Sequence, residues 1–339
     1  MARLILLPEL PGANSGYQKA VAYDLKRLGE KPGDVLIAYA TGQSKTEENG
    51  HIKIIARPSK LSATRALNLM QGRVPNEPTP RTLELSIPSG VHWDEVFCGE
   101  VVFYRALREL FPDMPFAVRF HNYYHLVAYR QGLRDYPLSK TFRLTIGAML
   151  RLEKEIARDP LVKPIFITPE EEAAFRIAYP MRETEHWNPA DELPLTATYS
   201  KPRSKKMVWL GGVSAHKAFS LRLFINLAFR DLRKKHPDVE LHLYGKNTLG
   251  FHAPQDGVMG YGYYEGSNFP EAKDSLYVNP DLLGGGIKIK VGDWLREGIP
   301  FISTPFGVEG YNLPRNENIM VAELDRWAEV LGKYYDAPE

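Results

Sequence analysis

The chain has 339 residues, of which 44% are hydrophobic, with a formal net charge of +2 and a single cysteine, Cys98. That apolar content excludes a disordered chain, and the mild charge argues against a nucleic-acid partner. The lone cysteine excludes a disulfide framework and fits a reducing cytoplasm.

Arg3–Leu7 predicts a short buried strand, Pro8–Gly16 a Gly/Pro/Asn/Ser loop, and Tyr17–Leu28 a helix stopped by Gly29. The apolar run from Met1 to Leu7 is too short for a signal peptide, and no run of about 18 apolar residues follows that would span a bilayer. Asp34–Ala40 and His51–Ala56 read as strands, Ala63–Gln71 as a helix, and Glu95–Leu110 as a strand passing into a helix. Pro115–Phe120 reads as a strand that delivers His121 and Asn122 into a polar-aromatic loop with Tyr123, Tyr124 and His125. Ser139–Arg158 reads as a long helix, in which Arg143, Arg151, Lys154 and Arg158 alternate with Phe142, Leu144, Ile146 and Leu150. Such a helix either packs on a core or lies along a membrane surface. Ile165–Thr168 reads as a further buried strand.

The polar stretch Leu193–Lys206 reads as a linker, so the expected domains are residues 1–192 and 207–339, joined by 193–206. The second half repeats the plan of the first, with a strand at Met207–Leu210, a loop at Gly211–Lys217 and a helix at Ala218–Lys235. Strand, glycine-bearing loop and helix form the opening unit of a nucleotide-type α/β domain. Meeting it twice predicts two Rossmann-like α/β domains with mainly parallel sheets. Val239–Tyr244 reads as a strand stopped by Gly245, and Gly257–Gly266 as a strand and turn. Asp281–Leu283 leads into a glycine turn, Gly284-Gly285-Gly286, followed by a helix from near Ile287, a stop at Gly298 and a buried strand.

That turn is the most informative feature. Three glycines allow close backbone approach and positive φ, and the helix they feed presents unpaired N–H groups suited to a phosphate. Lys288 and Lys290 would add charge; an ordinary tight turn with solvated lysines is the competing reading. Gly286, Lys290, Asp293 and Glu297 are spaced to share one helix face. Asp293 can accept ribose hydroxyls or pair with Lys290 or Arg296. Gly292 costs about 1 kcal/mol relative to Ala in a helix interior, so something is expected to pack closely there. Gly211, Gly212 and Lys217 form a second candidate phosphate site, because a lysine at a helix start opposes the dipole unless an anion is near. His121 stands where α/β ligands bind, or serves the fold alone, and Glu309 can bind a sugar hydroxyl or cap a turn. No Asp-x-Asp, zinc-ligand spacing or P-loop occurs, so neither a metal nor a bound cofactor is expected; Gly12–Gly16 is not a full dinucleotide fingerprint.

Gly284 through Tyr311 resembles the segment GtGiKiKvlEAlaaGiPvVsTpvGaEGl of the retaining family 4 glycosyltransferases. Gly12–Gly16 is similar to that family's acceptor-side glycine loop, Phe120-His121-Asn122 to its histidine motif, and Leu152 through Glu172 to its helix–strand passage. The resemblance implies the GT-B fold, two Rossmann-like domains facing a cleft. It implies transfer of a sugar from a nucleoside diphosphate to a hydroxyl acceptor, a glycan or a lipid-linked saccharide of polysaccharide biosynthesis. The transfer would be metal-independent with retained configuration, at the cytoplasmic face of a membrane or free in the cytoplasm.

In that reading Lys217 binds donor phosphate, and Gly285, Gly286 and Ile287 contact pyrophosphate and sugar. Asp293 holds the ribose, His121 touches the transferred sugar, and Glu309 matches the acid of the EG element. Gly16, Asn122, Gly211, Gly212, Lys288 and Lys290 complete the substrate-binding set. The chain departs from the pattern where the first motif acid falls on Gly285 and where the usual arginine falls near Gly212. A sugar-nucleotide epimerase on the same fold, or a nucleotide-sugar-binding subunit without turnover, are the alternatives.

Overall fold

The computed structural model describes residues 2–11, 16–29, 31, 33–40, 52–56, 63–133, 140–193, 197–202, 204–264, 270 and 274–337. It divides into two compact units, Met1–Pro189 and Ala190–Glu339. Within the first lie β1 (Arg3–Leu7), α1 (Gly16–Leu28), β2 (Val35–Ala40), β3 (Ile52–Ala56), α2 (Ala63–Met70), α3 (Pro80–Glu84) and β4 (Glu95–Cys98). These are followed by α4 (Tyr104–Leu110), β5 (Phe116–Phe120), α5 (Tyr124–Leu133), α6 (Lys140–Arg158), β6 (Val162–Phe166), α7 (Pro169–Ala178) and β7 (Glu185–His186). All strand pairs are parallel, in the order β3-β2-β1-β4-β5-β6-β7. Strands covered on both faces read as uninterrupted apolar runs, which is why β1 was legible. Leu4 and Leu6 enter one core cluster and Ile5 and Leu7 the other, as the two-residue period of a strand requires.

The second unit contains β8 (Lys206–Leu210), α8 (Ala215–Phe224), a π turn (Ile225–Phe229), α9 (Arg230–Lys235), β9 (Glu240–Tyr244) and β10 (Val258–Gly262). It continues with β11 (Leu276–Asn279), α10 (Ile289–Glu297), β12 (Phe301–Ser303), β13 (Ile319–Val321) and α11 (Trp327–Asp336). Its parallel order is β10-β9-β8-β11-β12-β13, so each sheet reverses direction beside its first strand, between β1 and β4 and between β8 and β11. Ligands of open α/β sheets bind at the carboxyl ends of the strands flanking such a reversal. In the polar stretch read as a linker, Leu193 and Tyr199 pack on the second unit's core, and the Tyr199 hydroxyl donates to the Leu295 carbonyl at 3.0 Å.

Several expectations are corrected. The helix expected at Ala218 begins at Ala215, so Lys217 lies inside its first turn. The strand expected at Ile165–Thr168 is Val162–Phe166, because Thr168 instead caps α7, accepting the Glu171 amide at 3.2 Å, with Pro169 in the first turn. The loop expected at Tyr124–His125 is the start of α5. The buried Glu153 carboxylate accepts the Tyr124 and His125 amides at 2.6 and 3.1 Å and so caps that helix from a distant element. Helix α10 begins at Ile289, which leaves Gly286 off the helical face shared by Lys290 and Glu297. Residues 12–15 of the acceptor-side glycine loop lie outside the described residues.

Candidate functional site

The second unit gathers most of the candidates at the carboxyl ends of β8 and β11. Gly211 has φ +151° and leads β8 into α8, with its amide donating to the Tyr244 carbonyl at 2.9 Å. A Cβ on Gly211 would lie 3.8 Å from the Lys217 Nζ, so that ammonium stands over the glycine loop. Among the described residues the Lys217 ammonium makes no hydrogen bond or ion pair and acts on Asp281, His216 and Lys290 through its charge. Gly212 is exposed, and the Ser214 side chain makes no cap hydrogen bond to α8. The first-turn amides of α8 therefore remain available to an anion.

On the facing side, Gly284 and Gly286 have φ +120° and +61°, conformations that glycine adopts without a Cβ penalty. They carry the chain from Asp281 to α10, whose Lys288 cap position also makes no side-chain cap hydrogen bond. Gly285 and Ile287 lie in this turn, with Ile287 buried. The Lys288 Nζ donates to the Gly285 and Gly286 carbonyls at 3.1 and 2.9 Å and sits 4.0 Å from the Phe306 ring centroid. Lys290 is held more deeply. Its Nζ is buried without a hydrogen-bond partner, 3.7 Å from Asp281 Oδ2 and over the Trp209 and Trp294 rings at 5.5 and 5.7 Å.

Charge is unbalanced here. Asp281 is buried, and burial alone would raise its pKa; the cations Lys290, Lys217 and Lys288 overcome that and hold it below the usual carboxylate value. Burial and the neighbouring Lys217 and Lys288, opposed by Asp281, pull the Lys290 pKa down to about 8. Burial, then Lys217, lowers that of His216. Three lysines around one carboxylate, beside two helix N-termini, make a site short of negative charge.

The two halves of the site are tied together. Ser220 Oγ on α8 accepts the Leu282 amide at 3.2 Å, and the Thr304 hydroxyl donates to the Asp281 carbonyl. Asn279 reaches Ser303 Oγ and the Gly307 carbonyl at 3.2 and 3.0 Å. Glu309 follows the short 3-10 turn Phe306–Val308, whose Phe306 ring carries Lys288. Asp293 pairs with Arg296 at 2.9 Å, one of the two pairings open from the sequence.

His121, Asn122 and Gly16 belong to the first unit. Gly16 is the first residue of α1, and the ring of the next residue, Tyr17, lies 4.8 Å from the His121 ring. His121 is 4% exposed, and its Nε2 is 3.1 Å from the Gly99 carbonyl. Burial, reinforced by Arg119, depresses its pKa to about 3, so the ring is neutral at ordinary pH. A neutral ring that donates from Nε2 carries an acceptor at Nδ1, and that atom is buried without a partner among the described residues. Asn122, next along, is partly exposed. Asp281, His216 and Ser220 escaped the sequence reading. The only signal for Asp281 was its place directly before the glycine turn, since no spacing marks an acid that meets lysines from two helices. Among the described residues no group of His, Cys, Asp or Glu is arranged to hold a metal, and no helix is long and apolar enough to cross a membrane.

No protein-family model matches the chain, and no curated protein sequence matches it significantly. Solved structures do. Sucrose-phosphate synthase from Thermosynechococcus elongatus superposes with a TM-score of 0.64 at 12% identity, over 99% of this chain and 89% of that one. An alpha,alpha-trehalose 6-phosphate synthase from Burkholderia multivorans gives 0.61 at 12% identity, over 100% and 92%. Anabaena HepE in complex with UDP and glucose gives 0.58 at 12% identity, over 99% and 90%. Likeness at this identity is one of fold, and the chain has the α/β GT-B architecture, two Rossmann-like domains in tandem.

Proposed function

We propose that this chain is a glycosyltransferase that takes a sugar from a nucleoside diphosphate, UDP being the first candidate, and passes it to a hydroxyl acceptor with retained configuration and without a metal. The observation that carries the reading is the cation cluster between the starts of α8 and α10, where the charges of Lys217, Lys288 and Lys290 act on Asp281. A leaving diphosphate placed there would meet backbone amides of both helices and the Lys217 ammonium, which together would stabilise the charge that develops as the glycosidic bond breaks. Asp293 is the group offered to the ribose, and Glu309 that offered to a sugar hydroxyl. The HepE complex with UDP and glucose, on the same fold, supports a UDP-type donor.

The test is a thermal-shift screen against UDP, GDP, ADP, CMP and dTDP, followed by a transfer assay with the matching nucleotide sugar. A ligand at a hundred times its Kd stabilises by about 2.7 kcal/mol; no shift with any of the five would refute the reading. A second reading, nucleotide-sugar binding without turnover, is favoured by Gly285 standing where the resemblance expects an acid and by the tight burial of His121. Binding without transfer or hydrolysis across a panel of acceptors would select it. Epimerised sugar recovered in the absence of acceptor would point instead to an epimerase.

The depressed Lys290 pKa sets a pH dependence. A bound diphosphate favours the ammonium, so binding takes up a proton wherever the free lysine has lost one, and affinity falls as pH rises from 7 through about 8 and beyond. In the unliganded protein the same group acts with the opposite slope. Its folded pKa lies below its ordinary value of 10.5, so its unfavourable contribution is fully present below pH 8 and fades between 8 and 10.5. Calorimetry between pH 7 and 9.5 checks this; Lys290→Met flattens the profile, and an unchanged slope in that variant contradicts the assignment.

For the acceptor, a lipid-linked saccharide is supported by exposed residues of α2 and α6 in the first unit. Leu67, Met70 and Leu144 are 52%, 85% and 59% exposed, Arg143, Lys154 and Arg158 are exposed too, and Arg151 bridges α6 to the Gly72 carbonyl at 3.0 Å. Basic residues near an anionic surface contribute about 1 kcal/mol each, so Arg143→Glu with Lys154→Glu is expected to weaken binding to anionic vesicles at least about thirtyfold. Equal sedimentation of variant and wild type would remove the membrane from the account.

A further inference from the structure

The glycine within α10 has a partner that bears on the donor site. The Tyr311 hydroxyl accepts the Gly292 amide at 3.1 Å and donates to the Lys288 carbonyl at 2.9 Å. In an uninterrupted α-helix that carbonyl and that amide would bond to each other. Here a side chain from the loop after Glu309 stands between them. The Lys288 carbonyl also takes the Val291 amide at 2.8 Å, so the first turn of α10 is wound as a 3-10 turn. A larger residue at Gly292 would crowd this arrangement, because a Cβ there would lie 3.0 Å from the Tyr311 hydroxyl and 3.2 Å from Leu193 Cδ1.

We propose that Tyr311 is a positioning residue for the donor diphosphate, its hydroxyl holding open the first turn of α10 so that Lys288, Lys290 and the amides between them face the anion site. The inference rests on the donor reading given above. Lys288 is the residue whose carbonyl the hydroxyl takes, and its ammonium lies over Phe306, on the same loop that carries Tyr311. Lys290, one residue beyond the start of the helix, faces Asp281. Without the hydroxyl, the Lys288 carbonyl and Gly292 amide either close on each other or admit water. Closure rewinds the turn and moves both ammonium groups, whereas a bridging water would keep the turn in place and leave the Kd unchanged.

The experiment is nucleotide binding by calorimetry to the full chain and to Tyr311→Phe, Gly292→Ala and the double variant, with the melting temperature of each unliganded protein. Tyr311→Phe is expected to raise the Kd for UDP at least fivefold while leaving the unliganded melting temperature close to that of wild type. Gly292→Ala is expected to raise the Kd by a smaller factor in the Tyr311→Phe background than alone, because the methyl then has no hydroxyl to displace. A purely structural tyrosine would do the reverse, lowering the melting temperature with an unchanged Kd. That result, or strictly additive effects, overturns the proposal while the donor reading stands. If wild type binds none of the five nucleotides, the donor reading falls and takes this inference with it.

Discussion

Lys217→Ala is expected to weaken binding of a nucleoside diphosphate by roughly 10- to 100-fold, the effect of losing one charge-assisted hydrogen bond of about 1.5–3 kcal/mol. The side chain lies in the first turn of α8, where a cation opposes the helix dipole, and it adds to the positive potential felt by Lys290. In the unliganded protein the attraction of the buried Asp281 is set against both of these repulsions. The same substitution is therefore expected to leave the unliganded melting temperature close to that of wild type while the shift produced by nucleotide collapses. A lost affinity with little change in apo stability separates a binding lysine from a structural one. A Kd equal to wild type would show that the ammonium serves another purpose.

Gly245→Ala is expected to cost about 2–5 kcal/mol, combining the strain of a positive-φ side chain with overpacking against fixed backbone. Gly245 closes β9 at φ +127°, and a Cβ there would meet the Gly211 carbonyl oxygen at 2.2 Å and its carbon at 2.6 Å. Because Gly211 begins the glycine loop of the site, whatever fraction still folds must displace that loop, so nucleotide affinity is expected to fall as well. Gly250→Ala is the control, since a Cβ there meets nothing within 4 Å. A melting temperature for Gly245→Ala that matches the control would mean that β8 and β9 do not approach each other as described.

How much of this was written in the chain depends on the range of the interaction. Strands β1 and β8 and helix α1 were legible because their apolar spacing is local and their ends carry glycine punctuation. The turn at Gly284–Gly286 was legible for the same reason, and so was the crowding at Gly292, though not the identity of Tyr311 as its cause. The first residues of α5, Tyr124 and His125, read as loop because their cap, Glu153, comes from α6, nearly thirty residues away. Asp281 was passed over because its significance comes only from the lysines that the fold brings around it. Asp293 had two candidate partners at equal spacing, and the helix geometry chose Arg296. Local pattern thus gave most of the strands, though not β7, β11 or β13, with the glycines and Lys217, while the acid that organises the lysines emerged only from packing.

The most direct measurement is a crystal structure of the protein grown with UDP. The account predicts diphosphate density between the Gly211–Gly212 loop and the turn at Gly286, within hydrogen-bond reach of the Lys217 ammonium and of first-turn amides of α8 and α10. Diphosphate bound at any other place, with Lys217, Lys288 and Lys290 still gathered around Asp281 and no anion among them, would contradict it.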